Sequence, residues 1–258
     1  MTRLSWGDIG ARLFEAGVDR GVFYPTVGPG VPWNGLLAVK ESNDDNAQSI
    51  IYVDGLSYVT QVSLGTFSAE LSAITYPLEF EEYDGYVDGL SNQLRKSFNL
   101  CYRSIVGNDV DDTSFGYKIH LVYNVLAEPT DTAFSSLDAT VEATPFMWAL
   151  STTPVVITGY RPTSHLVIDT TRAYPSSISA LEDILYGTVS EVPRMPSMEE
   201  VLALFEEHAI FRVTDNLDGT GTVTGPDEAV TDIGGDLYRL TWPSVVQIDD
   251  DVYRLSSL

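Results

Sequence analysis

The sequence predicts a mainly β protein, a β-sandwich or partial barrel carrying one or two short helices. Three observations lead there. Segments with period-two alternation, or rich in Val, Ile, Tyr and Phe, recur from Ile50 to Asp169. Asp-Gly pairs fall where two such segments need a tight turn. Apolar residues at helical spacing occur in only two stretches, both late in the chain.

Glycine and proline are densest at "GVDRGVFYPTVGPGVPWNG", Gly17 to Gly35. The stretch reads as a connector between a strand ending near Tyr24 and a strand starting near Gly35. "IIYVDGLSYVTQV" (50–62) is a hairpin around Asp54-Gly55. In "TFSAELSAITY" (66–76), Phe67, Ala69, Leu71 and Ala73 share one face, and Thr66, Ser68, Glu70 and Ser72 the other. "SFNLCYRSIV" (97–106), "GYKIHLVYNVL" (116–126), "TVEATPFMWALSTTPVVITGY" (140–160) and "SHLVID" (164–169) complete the strands. "PSSISALEDILYG" (175–187) is a short helix with serines at its start and Gly187 at its end. "PSMEEVLALFEEH" (196–208) is a second, with Ser197 and Glu200 spaced as a capping box. This divides the chain into a β domain over 1–190, a helical connector over 191–208 and a small β appendage over 209–258.

Two polar connections interrupt the strands, 41–49 and 77–97. The longer one has apolar and aromatic ends, two Asp-Gly pairs and a closing Arg95-Lys96. It reads as a surface loop or as an arm that orders against a neighbouring subunit.

The formal charge is −23, from 14 Lys+Arg and 37 Asp+Glu spread along the whole chain. Such a body lacks the clustered cations that hold nucleic acid or anionic membranes. The acidity keeps the protein soluble, and it equips a surface to repel a polyanion. Cys101 is the single cysteine, so no disulfide forms within the chain, and its strand-like flanks predict a buried thiol. The first residues lack the apolar core of a secretion signal, and no apolar run approaches membrane-spanning length. A protein made and kept in the cytoplasm, or assembled there, is expected.

The motifs that would announce chemistry do not form. No Lys or Arg lies between Gly21 and Gly35, and prolines with a following strand replace the helix that a phosphate loop needs. His120, His165 and His208 lack ligand spacing, and no Gly-x-Ser-x-Gly elbow exists. A Ser-His-Asp set remains open, because sequence order does not forbid one. "GNDVDD" and "DNLDG" lack the spaced pattern and distant Glu of a calcium loop. No catalytic, cofactor-binding or metal residue is assigned.

The ordered segments "GVDRGVFYP…GVPWNGL", "SAITYPLEF", "SFNLCYRSIVGNDV…GYKIHLVYN", "GYRPTSHLVID" and "LEDILYGT" resemble the major tail proteins of long-tailed, non-contractile bacteriophages of actinobacteria. The resemblance runs over roughly residues 4–205; beyond His208 nothing matches. It implies a tail-tube-like structural protein of the virion, assembled in the host cytoplasm, with no enzymatic activity and no cofactor. Its strands would join those of neighbouring subunits into a ring-shaped barrel, generally hexameric. Rings would stack into the tube through which the genome leaves. The implied partners are copies of the chain, the tape measure protein and other tail proteins, with DNA only in transit.

On that reading Ser68, Glu70, Ser72 and Glu142 are candidates to line the lumen. Trp33, Tyr76, Leu78, Phe80, Tyr83, Arg95 and Lys96 are candidates for contacts between subunits or rings. Two alternatives stay open: a distal tail or other minor ring-forming tail protein, and a carbohydrate-binding or hydrolytic β protein.

Overall fold

The computed structural model describes residues 6–43, 48–53, 56–62, 66–134 and 143–208, together with six short strands between 210 and 255. The fold is mainly antiparallel β. The chain divides into two compact units, Met1–Val167 and Ile168–Leu258.

The first unit is built on β1 (Phe14–Tyr24), β2 (Val31–Pro32), β3 (Leu36–Asn43), β6 (Phe67–Ala73), β7 (Phe98–Asn108), β8 (Asp112–Pro129) and β9 (Phe146–Thr152). They form one sheet in the order β2-β1-β7-β8-β9-β6-β3, and β10 (His165–Asp169) pairs with β8 beside β9. Register shifts in β1 beside Gly17 and Arg20, and in β8 beside Asn124, bend the long strands. At the β1 bend, Arg103 grips Asp19 with two hydrogen bonds, 2.8 and 2.6 Å, and lies over the Tyr117 ring. The sheet curls far enough that Leu36, entering the last strand of the path, meets Gly21 of β1. The result is a partial barrel with an apolar inside.

β4 (Gln48–Val53) and β5 (Leu56–Val62) pair only with each other among the described strands. Val53 faces Leu56, so Asp54-Gly55 is the two-residue connection the sequence predicts; the turn itself lies outside the described residues.

The alternation in β6 holds residue by residue: Phe67, Ala69, Leu71 and Ala73 are buried, and Ser68, Glu70 and Ser72 point the other way. Continuous strand over 140–160 does not hold. β9 stops at Thr152, since Pro154 has no N–H for the ladder, and the chain loops back through a single bridge between Val155 and Thr163. Of the 41–49 connection, residues 41–43 belong to β3 and 48–49 to β4.

The 77–97 segment is not an arm along its first half. It turns through a 3₁₀ turn (Leu78–Phe80) and one α turn, α1 (Glu81–Asp84), that plug the inside of the curled sheet. Phe80 is fully buried, with ring centroids of Trp33, Phe98, Trp148, Phe23 and Tyr76 between 4.7 and 6.0 Å away. The polar edges of these aromatics are satisfied: Trp33 Nε1 donates to Thr75 O at 3.0 Å, and Trp148 Nε1 to Asp84 Oδ1 at 2.9 Å. The Tyr83 hydroxyl accepts from Thr26 N–H at 3.0 Å. Gly30 lets β2 close over Tyr24, where a Cβ would sit 2.5 Å from the ring.

The second unit holds α2 (Pro175–Tyr186) and α3 (Met198–His208), which pack together through buried Ile178, Leu181, Leu185, Val201 and Phe205. Serines do not cap α2. Tyr174 is its N-cap, and Pro175, with φ already set for a helix, opens the first turn. The capping box of α3 forms as predicted: Glu200 N–H donates to Ser197 Oγ at 3.1 Å and Ser197 N–H to Glu200 Oε2 at 3.4 Å. Arg194 reinforces it with a two-pronged pair to Glu200. Beyond α3, β11 (Ile210–Asp215), β12 (Gly221–Thr224), β15 (Val245–Asp249) and β16 (Val252–Leu255) form one sheet, and β13 (Val230–Asp232) pairs with β14 (Tyr238–Leu240).

Phe80→Ala removes the ring around which the core closes and should cost about 3–5 kcal/mol in urea unfolding. A loss below ~1 kcal/mol would show that the plug is not part of the cooperative core. A second expectation concerns Asp84. Burial raises its carboxyl to about 6, against the opposing pulls of Trp148 and Arg95. The native state therefore holds this proton more tightly than the unfolded chain does. The group's contribution is full below pH ~4 and is lost as pH rises to ~6, a loss of about 3 kcal/mol. Asp84→Asn keeps the acceptor for Trp148, so it should leave stability at pH 4 unchanged and raise it at pH 7.5. Equal effects at both pH values would refute this.

Candidate functional site

Of the residues expected at contacts between subunits, Trp33, Phe80 and Tyr83 are corrected by the fold. All three are buried in the chain's own core, because the curled sheet needs large side chains to fill it. Tyr76 packs on the same cluster, edge-on to Phe146 and Trp148. Leu78 is 78% exposed. Lys96 pairs with Glu82, and Arg95 lies near Glu128 at 4.0 Å. Exposed apolar residues occur along much of the described chain, and four that the sequence did not single out follow the plug: Tyr86, Val87, Leu90 and Leu94. Exposed apolar side chains that lie close in sequence are candidates for a contact surface.

Among the lumen candidates, Glu70 is exposed and Ser68 and Ser72 are partly so, on the outward face of β6. Glu142 lies outside the described residues.

One arrangement was not visible in the sequence. The inward face of the partial barrel turns polar at one end. Tyr102 and Ser104 follow Leu100 at every second position of β7, and His120 precedes Val122 on β8. Glu41 lies opposite Ala69 of β6 and so points inward from β3. His165 comes from β10 and packs tilted against Phe67, with centroids 4.2 Å apart. These side chains meet. His120 Nδ1 lies 3.1 Å from Glu41 Oε1 and 3.2 Å from His165 Nε2. Ser104 Oγ is 2.9 Å from His120 Nε2, and Tyr102 donates to Glu41 Oε1 at 2.7 Å. The Tyr102 ring stacks on His120 at 4.5 Å.

The electrostatics follow from this geometry. Hydrogen bonding from His120 holds the Glu41 carboxyl down at about 2. Burial lowers His165 to about 4, and it raises the Tyr102 hydroxyl together with the Glu41 carboxylate beside it. Three ligand atoms, Glu41 Oε1, His120 Nδ1 and His165 Nε2, lie within 4.8 Å of one another.

Ser104, His120 and Glu41 also line up as serine, histidine and carboxylate, but acyl transfer needs more. Ser104 sits mid-strand, paired with Val18 on one side and Lys118 on the other. Among the described residues no backbone N–H pair is shown directed at a point beside Ser104 Oγ, which acyl transfer would need. Sequence reading missed the cluster because its members are separated by as many as 124 positions, from Glu41 to His165, and each is alone in its segment. The available signal was a lone histidine on the apolar face of a predicted strand.

No family model matches the chain, and no curated protein is similar to it. Solved structures of similar fold include a chain of the sheath–tube complex of an extracellular contractile injection system, PVC, in the extended state. It is 16% identical, with a TM-score of 0.32, over 65% of this chain and 95% of that one. Another is from the tube-terminating cap of the anti-feeding prophage, at 14% identity and TM-score 0.32, over 66% of this chain and 97% of that one. Both likenesses are loose.

Proposed function

We propose that this chain is a tail tube subunit, the major tail protein of a non-contractile bacteriophage of actinobacteria. The observation that carries the reading is where the family-like segments fall. They run in fixed order, and they fall on β1 and β2, the end of β6 with the 3₁₀ turn of the plug, β7 and β8, β10, and the second half of α2. The resemblance thus lies in the framework of the fold.

Three physical features support assembly. The sheet ends on β3, whose outer edge has no partner among the described strands, and an open edge is a template for pairing with another chain. Among the described strands β4 and β5 pair only with each other, and an isolated two-stranded hairpin is marginal in water unless it packs on something. Leu78, Tyr86, Leu90 and Leu94 give an exposed apolar surface for a neighbouring subunit or ring.

In the proposed assembly six subunits close a ring, rings stack, and the tape measure protein and other tail proteins complete the tail. The outward face of β6, with Ser68, Glu70 and Ser72, lines the lumen, and the acidic wall offers DNA no phosphate contacts during ejection. Residues 209–258 decorate the subunit beyond the 191–208 connector.

Electron microscopy of the purified protein tests the reading directly: hollow tubes are expected, and a protein that stays monomeric at high concentration and salt would overturn it. Leu90→Lys with Leu94→Lys should change monomer stability by no more than ~0.5 kcal/mol and abolish tubes; normal tubes would remove this surface from the interface. Glu70→Lys should leave tubes intact and slow genome ejection from reconstituted particles. Unchanged ejection kinetics would remove Glu70 from the lumen.

A further inference from the structure

We propose that Glu41, His120 and His165 bind one divalent transition-metal ion of the zinc class. This proposal is independent of the tail tube reading. It starts from a conflict in the cluster. His120 Nδ1 faces both Glu41 Oε1 at 3.1 Å and His165 Nε2 at 3.2 Å. A single N–H on Nδ1 can point squarely at only one of these two acceptors, so the other contact is poorly served. A cation placed among the three atoms, with Nδ1 unprotonated, takes one lone pair from each of them.

The spacing fits. Zinc bonds of 2.0–2.1 Å in tetrahedral geometry put ligand atoms about 3.3 Å apart, close to the 3.1 and 3.2 Å contacts, and the third pair lies within 4.8 Å. Two imidazoles with one carboxylate select a first-row transition metal over calcium or magnesium, which take oxygen ligands.

The surroundings are those of a metal centre. With the metal on Nδ1, the His120 proton sits on Nε2 and is donated to Ser104 Oγ at 2.9 Å. Tyr102 donates to Glu41 Oε1 at 2.7 Å and orients the carboxylate. His120 is buried, and Phe67 and Tyr102 brace the two imidazoles. The Glu41 side chain is 35% exposed and gives the ion its entrance.

Three protein ligands leave a fourth position for water or for a group from a partner. The ion ties β3, at the end of the sheet path, to β8 and β10 across the mouth of the barrel. Its role is to lock the curl of the sheet.

The test uses the full-length protein, stripped with a chelator and dialysed against Zn²⁺ or Co²⁺ in excess Mg²⁺, which occupies the acidic surface. One equivalent of Zn²⁺ per chain is expected, with an intense visible Co²⁺ spectrum of four-coordinate type and a higher thermal midpoint that the chelator reverses. Ser104→Ala should weaken Zn²⁺ about 10–100-fold, and His165→Gln and Glu41→Gln should weaken it further. Far-UV circular dichroism checks that each variant folds. The wild-type stoichiometry and Co²⁺ spectrum decide the question even if a variant does not fold. No stoichiometric Zn²⁺ or Co²⁺ on the wild type overturns the proposal. So does a weak six-coordinate Co²⁺ spectrum that survives both ligand variants, since that places the ion on surface carboxylates.

Discussion

Phe80 is the residue around which the first unit closes. A curled sheet of long strands leaves a volume inside that its own side chains must fill, and here the chain sends part of a connection into that volume. The Phe80 ring meets Phe23, Trp33, Phe98, Trp148 and Tyr76, which come from β1, β7, β9 and the connectors flanking the sheet. Contacts that are weak singly become decisive when they converge on one buried ring. The indole N–H groups of Trp33 and Trp148 then need acceptors, and Thr75 O and Asp84 supply them. A carboxylate held in an aromatic core is the consequence of that need.

The same inward face explains the second site. β7 and β8 carry apolar side chains through the middle of the sheet and polar ones toward one end, where β3 crosses with Glu41 and β10 brings His165. A buried apolar end would need further large side chains. The chain has instead placed polar groups there, with Tyr102 bonded to Glu41 and Ser104 to His120. Aromatic plug and histidine cluster are therefore two solutions to one problem, closing the inside of a curled sheet.

The sequence disclosed what is local. The period-two pattern gave the two faces of β6, the capping box placed the start of α3, and the Asp-Gly pair placed the connection between β4 and β5. Features set by tertiary context were not legible. Read singly, Phe80 and Tyr83 are aromatics in a polar loop, and only the empty interior of the sheet makes them core residues. Trp33 followed the same logic, in a stretch whose glycines and prolines mark a turn but not what the turn covers. Glu41 sat in a run read as a polar connection, and the histidines looked isolated because a sheet juxtaposes residues that the chain keeps far apart. One strand boundary misread, beyond Thr152, was marked by Pro154.

The β4–β5 hairpin, which pairs with no other described strand, has a bearing on timing. On the proposed assembly, a subunit with that hairpin and the β3 edge would be competent to associate as soon as it folds. A charge of −23 opposes that step, since every approach brings like charges within the roughly 8 Å over which physiological salt leaves them unscreened. Attraction at the edges is short-ranged and repulsion between bodies is longer-ranged, so the balance favours slow initiation followed by rapid growth. Under the proposed assembly, such a chain would stay monomeric until a template presents the first complementary edge, and ionic strength would set when polymerisation begins.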